Sequence, residues 1–280
     1  IFLIIGIIII QVNSVYGIIN YYFFTEGKKY ALKNYAKINE ILNYERPYLG
    51  FFSAVNIIIS FYFFSINKKK LLCIISSVFS TVLIIVISAR LAFFIVLLII
   101  LIAIFTKIKK KNIITIVLSG IVFFLLINNS SLGYRFRKIA NDSRVVIWRG
   151  ASTLFFENTK YLFGSGGEEN TRDSLLEHYK HFDEFKSKDE KNRFINKNYN
   201  THNQYINELL RGGIIGLLLL VIPQAILLYS SFKRKNILGI MFLVSIFAFC
   251  LVENILDRQR GVYLYALFLS LINTPYKLKE

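Results

Sequence analysis

An all-α, polytopic transmembrane helical bundle is the fold class this sequence predicts, and three observations carry that reading. Of 280 residues, 55% are hydrophobic and the mean hydropathy is +0.50. Apolar runs such as IFLIIGIIII and FFIVLLIILIAIF recur, and the charges punctuate them rather than mixing with them. Runs of that length exceed what core helices of a soluble domain need. The same composition excludes disorder, a collagen repeat and a small disulfide scaffold. Lys+Arg 34 against Asp+Glu 17 leaves a net charge of +17. In a soluble chain this would suggest nucleic acid, but basic residues gathered at span ends imply a membrane surface instead, and no nucleic-acid partner is expected. Numbering opens on Ile1 and Met241 is the only methionine, so the numbered chain is expected to start inside a longer one, and a missing signal peptide carries no meaning.

A helix crosses a hydrocarbon core of about 30 Å with about 20 apolar residues. On that scale spans are predicted near 1–23, 47–66, 112–128, 205–232, 236–252 and 261–273. The stretch 71–106 differs, because at about 1.5 Å per residue a single helix there would run roughly 54 Å. It must fold back. Ser88-Ala89-Arg90 is the one polar interruption near its centre, so a tight helical hairpin is placed there, which brings the count to about eight spans and Arg90 to a membrane surface.

Orientation follows from short basic clusters, which are retained on the cytoplasmic side. Lys68–Lys70, Lys107 with Lys109–Lys111, Lys233–Lys235 and Lys277 with Lys279 all fall on one face of an eight-span chain. The opposite face receives 24–46, the Arg90 turn, 129–201 and 253–260. Three regions result: N-terminal helices over 1–128, one large periplasmic loop with short helices over 129–201, and C-terminal helices over 202–280. Within the loop, Leu176, Tyr179, Phe182 and Phe185 recur roughly every three residues, which predicts an amphipathic helix over 173–185 lying on the membrane. KSKDEKNRFINKNYNT after it reads as a flexible linker or lid.

Candidate chemistry is sparse. Cys73 and Cys250 fall near opposite ends of their spans, too far apart for a disulfide, which needs Cα atoms within about 7 Å. No serine nucleophile pattern, Walker motif or Rossmann motif is present. His178 and His181 stand at i, i+3 among acids; a metal site there would need a third ligand that no spacing supplies, so a solvated helix face is the plainer reading. His202 opens HNQYINELLRGGIIG where the loop re-enters the membrane, wet on one side and anchored on the other. Its imidazole, with an ordinary pKa of about 6.5, can take a proton at neutral pH. Asn203 beside it is suited to steady its tautomer or to bind a sugar hydroxyl. Arg90, Arg144, Arg149, Arg211, Arg258 and Arg260 all map to the same face. Guanidinium groups pair with phosphate oxygens bidentately, whereas the bland alternative is snorkelling to lipid headgroups. A convergent set suits an anionic lipid headgroup, and a pyrophosphate on a polyprenyl tail fits both the charge and an apolar groove. In FGSGGEE, Gly164, Gly166 and Gly167 precede a predicted helix and would let backbone N–H groups approach a ligand; a plain turn is the alternative. Gly213 and Gly216 would allow another helix to come close.

Taken in order, these segments resemble the O-antigen ligase and polymerase-related family of bacterial membrane glycosyltransferases. His202-Asn203, nine residues, then Gly213-Ile214-Ile215-Gly216 fits the family's His, small polar residue and G-x-x-G pattern without a gap. ERPYLGFF, VISARLA, RVVIWRGASTLFFENTKYLFGSGG and ENILDRQRGVYLY resemble further family segments, over about 45–273. Two departures stand out: family members usually carry additional N-terminal spans, and a common His-Pro is here Arg46-Pro47. The resemblance implies a GT-C-like architecture in the bacterial inner membrane, an active site facing the periplasm, chemistry with neither metal nor cofactor, and an undecaprenyl-pyrophosphate-linked glycan donor. It further implies an acceptor that is lipid A-core or another glycan, His202 as general base, and Arg90, Arg144 and Arg258 or Arg260 on the pyrophosphate. A polymerase joining lipid-linked repeat units fits the same donor chemistry. From another class, the alternatives are a polyprenyl-lipid or polysaccharide transporter and a noncatalytic scaffold; a transporter would be expected to place charges deep in several spans, whereas here they gather at one surface.

Overall fold

The structure, a computed structural model, describes residues 2–24, 42, 44–66, 68–107, 143–157, 161–182, 185, 187–197 and 200–273. Among them are ten helices and no strand, and they divide into two units, Ile1–Ile139 and Ala140–Glu280. The predicted span 112–128 and the clusters Lys109–Lys111 and Lys277 with Lys279 lie outside the described residues. Among the described residues, three helices are long and apolar enough to cross a membrane, over Leu3–Asn20, Arg46–Phe64 and Gln204–Lys233, and Lys70–Val86, Arg90–Leu101 and Ile237–Cys250 are shorter apolar helices.

The first unit holds α1 (Phe2–Phe24), α2 (Arg46–Ser65), α3 (Lys70–Val86) and α4 (Arg90–Lys107). Pro47 sits in the first turn of α2, where its fixed φ suits a helix start and its missing N–H is not needed. The hairpin predicted at Ser88-Ala89-Arg90 is there: α3 ends at Val86, Ser88 turns the chain with φ +52, and Arg90 opens α4. A Cβ on Gly50 would come within 2.7 Å of Ala89 Cβ and 3.2 Å of Ala92 Cβ, so small residues let α2 press on that turn, as apolar-solvent helix packing requires. Side-chain hydrogen bonds add directional contacts. Gln11 Nε2 on α1 donates to Ser53 Oγ on α2 and Ser80 Oγ on α3, both at 2.9 Å. Asn56 Nδ2 donates to Ser76 Oγ at 2.6 Å and Ser80 Oγ at 2.9 Å.

The second unit begins with α5 (Ser143–Glu157), α6 (Glu168–His181) and α7 (Lys188–Lys197). They share a core of Ile147, Ala151, Phe155, Leu175, Tyr179, Phe194 and Leu210. Two expectations are corrected here. The helix predicted over 173–185 runs from Glu168 to His181 and turns Thr171, Leu175 and Tyr179 inward; a four-residue spacing sets its buried face, and that face is taken by the loop's own core rather than by lipid. Phe182 and Phe185 follow the helix and pack edge-on to each other and, through Phe185, onto Tyr179 and Phe194. The stretch read as a linker contains α7, started by Ser187 Oγ accepting from Glu190 N at 3.1 Å and anchored by buried Phe194. His178 packs on Gly150 and Phe182, and burial lowers its pKa below the ordinary imidazole value, whereas His181 is exposed and pairs with Glu177.

Helix α8 (Gln204–Lys233) is bent back on itself at Gly213, whose φ +63 and ψ −158 are not helical. Tyr205 Oη donates to Gln224 Oε1 at 3.1 Å, yet along a straight helix 19 residues would separate them by about 28 Å. The span predicted over 205–232 is therefore two pieces: a short re-entrant helix over 204–212 that buries Gln204, Asn207 and Glu208, and the crossing segment over 214–233, about 30 Å at 1.5 Å per residue. Helices α9 (Ile237–Cys250) and α10 (Gln259–Asn273) complete the unit, with Phe242 stacked on Phe268 at 4.7 Å.

Candidate functional site

Two non-helical stretches of the second unit meet beside the re-entrant helix: 200–203, which leads into α8, and 251–258, between α9 and α10. Backbone there lacks helical partners, and buried groups must be satisfied. Side chains do this. Trp148 Nε1 from α5 donates to Thr201 O at 3.0 Å, Leu256 N donates to Gln204 Oε1 at 2.8 Å, and Thr201 Oγ1 donates to Asn254 Oδ1 at 3.2 Å. Asn203 Oδ1 accepts from Tyr205 N at 3.0 Å and Ile206 N at 3.1 Å, which caps the helix. The side chain expected to orient His202 or hold a sugar is thus engaged as an N-cap.

His202 projects from the residue before that cap with φ +46, a left-handed conformation uncommon outside glycine, asparagine, aspartate and histidine. Its Nδ1 lies 3.5 Å from Glu253 Oε2, and Glu253 Oε1 accepts from Arg144 Nη2 at 2.9 Å. The carboxylate is 7% exposed and the imidazole 22%. One imidazole, one buried carboxylate and one guanidinium therefore stand in a row, drawn from α8's entry, the α9–α10 connection and α5. Glu253 is the Glu of the family-like segment ENILDRQRGVYLY, and the sequence assigns it no role because no spacing ties position 253 to 202.

Behind this row Asp257 gathers amide donors. Gln204 Nε2 reaches its Oδ1 at 3.4 Å, and Asn207 Nδ2 and Asn254 Nδ2 reach its Oδ2 at 3.0 Å. Arg211 lies 3.6 Å from it and also pairs with Glu208 and Glu168. Burial pushes the Asp257 carboxyl above its ordinary value, Glu168 adds to that, and the Gln204 and Asn254 donors with Arg211 pull it back. Asp257→Asn would aim an NH₂ group at these donors, and unsatisfied buried donors cost about 1–3 kcal/mol; a lower melting temperature in detergent is expected. A raised folded pKa means the folded protein holds this proton more tightly than the unfolded chain. The charge therefore costs stability at neutral pH, and that cost shrinks as pH falls through the raised value. The variant should lack this contribution, which melting curves at several pH values will check.

The glycines have a structural task. Ser165 N and Gly166 N donate to Leu210 O at 2.8 Å and Arg211 O at 3.0 Å, and Ile214 N and Ile215 N donate to Tyr161 O at 2.9 Å and Leu162 O at 3.2 Å. The bend at Gly213 frees these helix groups, and the 161–166 turn satisfies them. A Cβ on Gly164 would strike the backbone of Leu210 and Gly213, and one on Gly213 the backbone of Tyr161 and Leu162. So Gly213 admits a turn rather than the second helix expected, and Gly164 packs on backbone. Gly166 and Gly167 face open space.

A family model described as O-antigen ligase matches residues 43–221, from just before α2 to the crossing part of α8. The chain belongs to the O-antigen ligase family. No curated protein matches it, and no solved structure does. Membership and the apolar helices make it an integral membrane protein of the O-antigen ligase type of glycosyltransferase, a class that works with a lipid-linked glycan donor and an acceptor. Of the residues expected at the ligase site, the structure brings Arg144, His202 and Asn203 together. Arg258 is half-buried at the end of the connection that carries Glu253, and Arg260 is exposed in the first turn of α10. Arg90 opens α4 in the first unit and is half-buried. Among the described residues, no group of three His, Cys, Asp or Glu side chains could hold a metal ion.

Proposed function

We propose that the protein transfers a preassembled glycan from undecaprenyl pyrophosphate to an acceptor hydroxyl, that of lipid A-core, on the periplasmic side of a bacterial inner membrane. The observation that carries this reading is the His202–Glu253–Arg144 row at the start of a re-entrant helix. Nδ1 faces Glu253, and Nε2 is assigned to the acceptor. The acceptor O–H gives its proton to Nε2, its oxygen bonds to the anomeric carbon, and the bond from that carbon to the pyrophosphate oxygen breaks with the electron pair leaving on phosphate. Glu253 holds the ring's tautomer and stabilises the imidazolium that forms. Arg144, Arg258 and Arg260 are assigned to the departing diphosphate, where charge stabilisation is the larger share of catalysis. One direct displacement inverts the anomeric centre.

Helix lengths support the placement. With 14 residues, α9 rises about 21 Å, about 9 Å less than a hydrocarbon core, a length that suits a Glu253 set below the membrane surface, within reach of a polyprenyl-linked phosphate. Irregular backbone is tolerated at that depth only when protein or a wet cavity satisfies it, as Trp148, Thr201 and Gln204 do here. Lys233, Arg234 and Lys235 at the far end of α8 are exposed and suit the cytoplasmic face.

Purified full-length protein given polyprenyl-pyrophosphate glycan together with either lipid A-core or a second lipid-linked glycan tests the reading. Mass spectrometry is expected to find glycosylated lipid A-core. Lengthened lipid-linked glycan would instead identify a polymerase, and no product from either acceptor would remove the transferase reading.

A further inference from the structure

The periplasmic-loop helices hide their apolar faces in their own core, yet one part of the loop does not. Phe156 is 71% exposed, Leu162 56% and Phe163 68%, with Tyr161 half-exposed beside them. Phe155 packs edge-on against both Phe156 and Tyr161, and Tyr161 Oη donates to Phe156 O at 2.8 Å, so these side chains form one built surface. Single exposed apolar residues need no explanation, whereas a contiguous aromatic patch marks an interaction site. No charged side chain occurs from Tyr161 to Gly167.

The neighbour of this patch identifies its occupant. Ile214 N and Ile215 N donate to Tyr161 O and Leu162 O, so the turn is fixed to the first turn of the crossing segment. Ile214 and Ile215 are themselves exposed at 40% and 39%, and the apolar face continues with Leu218 and Leu219. Such a face on a crossing helix suits lipid tails, and Tyr161 and Leu162 are bonded directly beside it. We infer that Phe156, Tyr161, Leu162 and Phe163 form a wedge buried in bilayer acyl chains beside the entry of the crossing part of α8. Aromatic side chains favour the interfacial depth at which this segment begins. The wedge holds the 161–166 turn, and with it the bend at Gly213, at the boundary between oil and water, so the membrane itself supports the re-entrant helix that follows His202.

Spin labels at Leu162→Cys and Phe163→Cys in the full-length protein, reconstituted in lipid nanodiscs, test this. Native Cys73 and Cys250 are buried, and unsubstituted protein gives their background. Leu219→Cys supplies the lipid-facing reference and Arg172→Cys the water-facing one. Labels at 162 and 163 are expected to collide with oxygen several-fold more than with a water-soluble nickel chelate, as at 219. Nickel-dominated collisions, as at 172, would overturn the wedge. So would low collision with both reagents, which indicates a protein neighbour, or dipolar broadening between copies. Phe163→Trp in nanodiscs of brominated lipid reads the same contact without a thiol, and quenching no greater than the Trp148 background would equally refute it.

Discussion

Replacing His202 by alanine is expected to lower glycan transfer by about 10²–10⁴-fold, the usual contribution of a general base, with donor affinity nearly unchanged. The two parts of this outcome separate because the proton leaves the acceptor, while the diphosphate is held by guanidinium groups. His202 has φ +46, and alanine pays for a left-handed backbone that asparagine tolerates better. His202→Asn is thus the sharper variant: it keeps the entry into α8 and removes the base. Turnover by purified protein in nanodiscs, alongside binding of a polyprenyl pyrophosphate, measures both. Normal turnover in His202→Asn would take the imidazole out of the mechanism. Equal losses of binding and rate would make it a donor ligand.

Sequence reading reached the helices and stopped at their directions. The span predicted over 1–23 is α1, Phe2–Phe24, and the hairpin at Ser88-Ala89-Arg90 falls where helix length against bilayer thickness demands. Those features follow from one-dimensional quantities: apolar run length and the position of a polar break. The bend in α8 does not, because GGIIGLLLL is as apolar as any straight span, and glycine permits a turn without requiring one. Only the unpaired carbonyls and amides of 210–215, and a turn built to meet them, fix it. The inward face of α6 takes Leu175 and not the adjoining Leu176, and residue type cannot tell which of two neighbouring leucines turns inward. The Gln11–Ser53–Ser80 and Asn56–Ser76–Ser80 bonds read as scattered polar residues in apolar runs until three helices align. Glu253 likewise acquires meaning only when the connection after α9 returns to His202. Residue chemistry was legible; partnership across tens of residues was not.

Gly212 and Gly213 are adjacent and chemically identical, yet alanine is expected to have opposite effects at the two. Gly213 has φ +63 and ψ −158, a region essentially reserved for glycine that costs another residue about 1–3 kcal/mol. Its added Cβ would also meet Tyr161 O at 2.5 Å and collide with the Leu162 backbone, neither of which can swing aside. Straightening α8 would relieve both, at the expense of the Tyr205–Gln224 bond and of the four backbone bonds to the 161–166 turn. That movement carries Asn203 and His202 away from Glu253, so Gly213→Ala should lose transfer as well as stability. A Cβ on Gly212 meets nothing within 4 Å, and the residue is helical, so alanine there should be neutral or stabilising by up to about 1 kcal/mol. Melting temperatures in detergent and transfer rates for the two variants decide the matter. Equal behaviour of the pair would mean that the bend is not what holds the His202–Glu253 contact.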